Sequence, residues 1–259
     1  MDPVCGSSGS AVPISTVRST RCPVVHDLAR LEDATMQNSA IGVTAYDWVP
    51  PFAQGQVRDL RVRWALEEAG LAYRPIILEQ GSQRSAENIA RQPFGQVPAM
   101  EIDGQTMFES GAIVWRIAEA SDGLLPSDRH RRDLALSWVF ASLNTVEPPI
   151  AALVDLDFFA RDADAAAKLR AGAIESVSKR LGQLQAALGD RDGLLGDFSV
   201  ADLMMTAVLR IPRHTDILQN FPALDAYVAR HTARPAFRKA LADQLAPFRD
   251  NAARYERAA

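Results

Sequence analysis

The chain has 259 residues, room for one to two domains of ordinary size, and is 47% hydrophobic and 23% charged. Glycine and proline, 15 each, are too few for a collagen-like or mostly low-complexity chain, and no apolar run approaches the roughly 18 residues of a membrane-spanning helix. A net charge of −4 speaks against nucleic acid as the default partner.

Residues 1–40 carry Gly6-Ser7-Ser8-Gly9-Ser10 with Pro3, Pro13 and Pro23, and no apolar period survives beyond a turn. They read either as a disordered tail or as an extension ahead of a true start at Met36. A basic head followed by an apolar stretch, the mark of a secretory signal, is missing. Both cysteines, Cys5 and Cys22, fall in this segment. The body therefore has no thiol for nucleophilic, redox or thiolate–metal chemistry. His26, His130, His214 and His231 show no metal-ligand spacing.

The body opens with a β-branched strand candidate at 41–46 and a loop marked by Pro50, Pro51 and Gly55. Leu60 and Trp64 at helical spacing, with Gly70 as the stop, predict a helix over 57–69. A strand at 73–78 and a helix at 85–91, ended by Pro93, come next. Strands at 97–102 and 106–108 flank Asp103-Gly104, a strong hairpin signal, and a helix follows at 109–120. Residues 122–128 read as a linker. Beyond them every period is helical: 129–159, bent at Pro148-Pro149, then 163–188, 200–211, and two shorter helices ending near Leu245. Pro222 and Pro235 suit the first turns of those two. The pattern is a small α/β domain at 41–121, an all-helical domain at 129–248, and a tail at 249–259.

Four short motifs carry chemical information. In Pro93-Phe94-Gly95-Gln96-Val97-Pro98, a proline opens a strand, and a Val-Pro bond takes the cis form at modest cost. A cis bond here turns the Val97 amide and carbonyl outward, where a peptide-like ligand pairs with them; a plain strand-opening proline is the alternative. Glu109 and Ser110 stand at a helix start, where unpaired amides and the helix dipole favour an anion. Ser110 and its amide suit a ligand carboxylate and Glu109 a ligand ammonium, unless the two are simply a capping pair. Phe198-Ser199-Val200-Ala201-Asp202-Leu203 reads as a capping box with aspartate in place of glutamate, Phe198 and Leu203 forming its staple. This is a folding element. Phe221-Pro222-Ala223-Leu224 with Tyr227, then Arg234-Pro235-Ala236-Phe237, reads as two helix starts that pack a core.

Together these motifs resemble the cytosolic glutathione transferase family over residues 41 to about 246. FGQVPAMEIDGQTMFESGAI carries the likeness in the first half, GDFSVADLMM and FPALDAYVARHTARPAF in the second. The resemblance implies an N-terminal thioredoxin-like domain that binds glutathione and an all-helical domain that supplies the second-substrate pocket. It further implies a cytoplasmic homodimer without metal. Gln96, Val97 and Pro98 would hold the cysteinyl part of glutathione, and Glu109 and Ser110 its γ-glutamyl end. Gln83, Arg84 and Gln92 are candidates for its glycine carboxylate.

Members of the family activate the glutathione thiol with a tyrosine, serine or cysteine near the end of the first strand. Such a bond favours thiolate over thiol. Between Ala45 and Gly70 the one hydroxyl belongs to Tyr46, the candidate catalytic residue. The competing reading uses helix-start amides with Gln54 or Gln56, and a positive field from Arg58 and Arg61. Without a cysteine, the resemblance implies addition of the glutathione thiolate to a small hydrophobic electrophile, or peroxide reduction, rather than disulfide chemistry. Residues 48–52 and Trp138, Phe140, Phe158 and Phe159 are candidates to line the second-substrate pocket. A non-catalytic binding or scaffold module and a glutathione-dependent isomerase or ether-cleaving enzyme are the alternatives.

Overall fold

Ile41, Val43 and Ala45 alternate with Gly42 and Thr44 in a segment buried from end to end. A strand buried over five successive residues belongs inside a sheet, and it forms β1 (Ile41–Tyr46), an inner strand of four in the computed structural model. The structure describes Met36 and residues 39–256; the expectations for 1–35, Cys5 and Cys22 among them, lie outside the described residues. Met36 is buried in the core and the Ala40 amide donates to Asp103 Oδ1 (3.1 Å), so the fold reaches back into the expected tail.

Parallel to β1 runs β2 (Arg74–Leu78), reached through helix α1 (Asp59–Ala69). On the other side β3 (Ala99–Ile102) pairs antiparallel with β1, and β4 (Gln105–Phe108) antiparallel with β3, giving the order β2-β1-β3-β4. Asp103 and Gly104 both hold positive φ (49° and 83°), as a two-residue hairpin turn demands. The short α2 (Ala86–Arg91) is capped by Ser85, and α3 (Ser110–Glu119) completes a thioredoxin-like unit.

Six helices follow: α4 (Arg129–Ala141), α5 (Glu147–Phe158), α6 (Ala163–Leu188), α7 (Val200–Leu209), α8 (Pro222–Thr232) and α9 (Pro235–Glu256). The bend expected at Pro148-Pro149 lies one turn earlier, where residues 142–146 form a π-helical turn between α4 and α5. Each proline lacks an N–H and its ring crowds the carbonyl four residues back, so the regular ladder cannot pass through 144 and 145.

The last helix corrects the expected end near Leu245 and the tail from 249. It continues through Pro247 to Glu256 because its final turns find tertiary partners. Tyr255 donates to Asp47 Oδ2 (2.7 Å) and stacks on Trp48 at 4.9 Å between ring centres. Asn251 donates to the Asp47 carbonyl (3.3 Å), and Arg254 pairs with Glu79. These contacts fasten the chain segment that leaves β1.

Helix α1 is the common wall of the two halves, and Asp59 to Leu66 are all buried. Its charges are neutralised inside the protein: Arg63 donates to Asp59 Oδ2 (2.7 Å) and Gln244 of α9 to Asp59 Oδ1 (2.6 Å). Trp64 meets Phe237 edge-on at 4.9 Å. On the neighbouring α3, Gly111 lets Leu143 approach closely. A Cβ there would lie 2.6 Å from Leu143 Cδ1.

The capping box forms at the start of α7, and Asp202 becomes a hub. Its Oδ2 accepts the Ser199 amide (2.9 Å) and hydroxyl (3.0 Å), while Oδ1 accepts the Leu194 amide (2.7 Å) and the Tyr227 hydroxyl (2.8 Å). Burial, then the adjacent Asp202, pushes the Tyr227 phenol well above its ordinary value, which keeps it a donor. Asp202→Ala leaves four buried donors without their acceptor and is expected to cost about 3–5 kcal/mol. Tyr227→Phe removes one bond and is expected to cost about 1–2 kcal/mol. Guanidinium unfolding checks both, and equal losses would show that the carboxylate is not the hub.

Candidate functional site

Two side-chain amides fix the segment that precedes β3. Gln92 Oε1 accepts the amides of Phe94 (2.6 Å) and Gln96 (3.2 Å), and Asn88 Nδ2 donates to the Gln83 (2.8 Å) and Gln96 (3.3 Å) carbonyls. Below them Thr44 Oγ1, fully buried in β1, accepts the Ala99 amide (2.6 Å). The Val97-Pro98 bond held between these anchors is cis.

At the exit of β4, Glu109 holds φ 69° and ψ 113°, a backbone conformation that non-glycine residues rarely adopt. Its side chain is exposed, and the chain turns there into the buried Ser110 at the start of α3. The Glu109 carbonyl accepts the Ile113 amide (2.9 Å), so the earlier amides of the helix have no partner within its first turn.

Facing this corner, the start of α1 presents two arginines, Arg58 at its N-cap and Arg61 in its first turn, and α5 one carboxylate. Glu147 is 7% exposed; its Oε1 accepts Nε (3.3 Å) and Nη2 (2.8 Å) of Arg58, and its Oε2 accepts Arg61 Nη2 (3.0 Å). Arg61 Nη1 extends the chain to Ser110 Oγ (3.4 Å). Burial works to raise the Glu147 pKa, but Arg61 and Arg58 outweigh it and hold the carboxyl below its ordinary value. Arg61 is lowered from its ordinary value by burial, against the pull of Glu147, and remains a cation at neutral pH.

These groups share a cavity of about 280 Å³. One wall is Gln96, Val97, Pro98, Glu109 and Ser110, the residues singled out in the sequence; the opposite wall is Arg58, Leu143, Asn144, Glu147, Pro148 and Ala151. The second wall was missed, apart from Arg58. A signal existed in Glu147-Pro148-Pro149, where a lone carboxylate opens an apolar helix, but only the fold shows that it faces Arg58 and Arg61.

Other candidates lie elsewhere. Tyr46, half-buried at the end of β1, does not line the cavity; burial and then Asp59 raise its phenol pKa. Gln54 donates to the Val49 carbonyl (3.1 Å) and Gln56 to the Arg210 carbonyl (2.8 Å), so both amides are engaged in holding the loop. Gln92 borders the cavity but spends its carbonyl oxygen on the segment it fixes. Gln83 and Arg84 are not among the lining residues, although the Arg84 stem packs over Gly95. Phe52 stacks on Phe158 (4.7 Å) and meets Phe159 edge-on (5.6 Å), joining the loop to the end of α5. Trp138 packs into the helical core, Phe140 is exposed, and Trp48 stacks on Tyr255. No cluster of metal-ligating side chains occurs among the described residues.

Residues 43–119 match the family model described as glutathione S-transferase, N-terminal domain. Glutathione S-transferase 4 of Zea mays is 30% identical over 210 residues, covering 76% of this chain and 91% of that protein. A maleylacetoacetate isomerase of Rhizobium meliloti is 31% identical over 206 residues, covering 72% and 92%. Among solved structures, a glutathione transferase of Burkholderia graminis, with two glutathione molecules bound per subunit, superimposes with a TM-score of 0.68 at 25% identity, covering 78% of this chain and 87% of that one.

The lowered Glu147 pKa fixes the sign of an acid response. Stability contributed by this carboxylate is complete above its ordinary value of 4.5 and is lost as pH falls through the lowered value. At pH 7, Glu147→Gln is expected to be less stable than wild type by about 2–4 kcal/mol. The gap should narrow toward pH 3 in urea titrations. A gap constant across that range would mean that Glu147 titrates alike in the folded and unfolded chain.

Proposed function

The chain belongs to the glutathione S-transferase family, and from that premise we propose that it binds glutathione in the cavity between its two halves and transfers the thiolate to a small hydrophobic electrophile. The observation that carries this reading is the meeting, in one cavity, of Val97, Glu109, Ser110 and two arginines. Glutathione offers complementary groups in matching order. Its γ-glutamyl ammonium goes to Glu109 and its carboxylate to Ser110 and the first amides of α3. Its cysteinyl amide and carbonyl pair with Val97, and Gln96 and Pro98 shape the bed beneath.

The electrophile would lie against Leu143, Pro148 and Ala151, with the Phe52–Phe158 pair extending the apolar surface. The protein's contribution is then proximity and thiolate stabilisation, without a covalent enzyme intermediate. Peroxide reduction by the same thiolate fits the same site. The maleylacetoacetate isomerase relative favours a second reading, in which glutathione adds to an unsaturated acid and leaves after its geometry has changed.

The exposed Phe94, Leu134 and Phe140 support a homodimer as the working unit. Among the described residues no helix is long and apolar enough to cross a membrane. A cytoplasmic role in detoxification belongs to the same proposal and rests on the family alone.

Calorimetry with glutathione tests the binding reading. Wild type should bind at submillimolar to millimolar concentration, and Ser110→Ala and Glu109→Gln should each weaken binding about tenfold, some 1.4 kcal/mol. Conjugation of chlorodinitrobenzene should fall in parallel, while Tyr46→Phe should leave affinity nearly unchanged. Absence of binding at millimolar glutathione would overturn the proposal.

A further inference from the structure

The cavity is lined by two cations, Arg58 and Arg61, and two carboxylates, Glu147 and Glu109. Arg58, Arg61 and Glu147 sum to one positive charge, and Glu109 at the rim is the remaining ionisable group of the lining. The two cations differ in what they have left to give. Arg61 is buried, with Nη2 on Glu147 and Nη1 on Ser110. Arg58 is 49% exposed and spends only Nε and one Nη2 hydrogen, both on the same Glu147 oxygen. A guanidinium has five N–H groups, so three remain on Arg58, and it lines the cavity.

Resting on the glutathione reading above, we propose that Arg58 is the catalytic residue that stabilises the glutathione thiolate, and that Glu147 sets its strength by competing for the same guanidinium. Val97 and Arg58 line the same cavity, so a cysteinyl group held on the Val97 backbone would lie in a space that Arg58 and Glu147 border. The tyrosine hydroxyl at the end of β1 is not available there, because Tyr46 stands outside the cavity, and the alternative amide donors, Gln54 and Gln56, are bonded to backbone carbonyls. An alkyl thiol has an ordinary pKa near ~8.5, and an adjacent cation lowers it. The S–H proton leaves to solvent and the sulfur lone pair takes the free N–H groups of Arg58. With chlorodinitrobenzene that pair then forms the S–C bond, and chloride departs with the electrons of the broken C–Cl bond. Each turnover leaves Arg58 and Glu147 as they began.

Two variants that break the same ion pair are expected to act in opposite directions. Arg58→Gln removes the cation and should cut the thiolate fraction of bound glutathione at pH 7 about tenfold, read by thiolate ultraviolet absorbance against pH. Glu147→Gln frees Arg58 from its competitor and should raise that fraction at the same pH. If the pair served structure alone, both variants would move the thiol the same way or not at all, and either result overturns the proposal. Should Glu147→Gln fail to fold, Arg58→Lys gives the deciding reading: it keeps the cation and should retain more thiolate than Arg58→Gln, and equal loss in the two overturns the proposal. S-methylglutathione, which has no ionisable thiol, separates this inference from the one beneath it. Failure of wild type to bind it removes glutathione as the ligand. Binding by wild type and Arg58→Gln alike, with unchanged thiol acidity, removes Arg58 alone.

Discussion

Glu147 lies where two halves of the chain meet, and a carboxylate taken out of water there is costly unless both oxygens are paired. Two arginines three residues apart, Arg58 at the N-cap of α1 and Arg61 in its first turn, meet that requirement, one on each oxygen. The consequence is geometric. Helix α1 is buried along most of its length, and its rotation about its own axis is set by the need to aim Arg58 and Arg61 at α5 while Asp59 and Arg63 pair beside Gln244. Apolar packing alone would tolerate a range of rotations, because hydrophobic attraction has little direction; buried ion pairs permit far fewer. The cavity inherits its shape from that choice.

A second buried carboxylate plays the corresponding part inside the helical half. Asp202 gathers the chain before α7, the start of α7 itself and Tyr227 of α8 on its two oxygens. It lies far from the cavity lining in sequence and function, yet α7 packs against α1 through the core that holds Val200, Leu203 and Met204. The helix that the capping box starts and the helix that walls the site thus share one core. Glu109 shows the other side of the same economy. Its strained backbone, of order 1–3 kcal/mol for such conformations, is tolerated because the surrounding sheet, hairpin and α3 leave the chain no easier way to deliver Ser110 to the cavity.

Much of this was legible in the order of residues. The hairpin at Asp103-Gly104, the stop at Gly70, the helix at 163–188 and the capping box all obey local rules, and each forms where those rules put it. So does the grouping of Gln96, Val97, Pro98, Glu109 and Ser110, since these residues flank one hairpin and the sheet brings its two ends together. What escaped were features without a local signal. The final helix runs past a proline because Trp48 and Asp47, some 200 residues earlier, receive Tyr255. Gln92, a candidate for the glycine carboxylate, spends its carbonyl oxygen on holding its own loop.

The sequence by itself determined the elements, their order and the family resemblance, because propensity, capping and turn chemistry act over a few residues and leave their mark within a few residues. Tertiary structure decided which charged groups face one another. Arg58 and Glu147 are 89 positions apart, and nothing in either neighbourhood names the other. Their pairing depends on the rotation of two helices from different halves of the chain. That rotation is fixed only when the whole interface packs and every buried charge has found its partner.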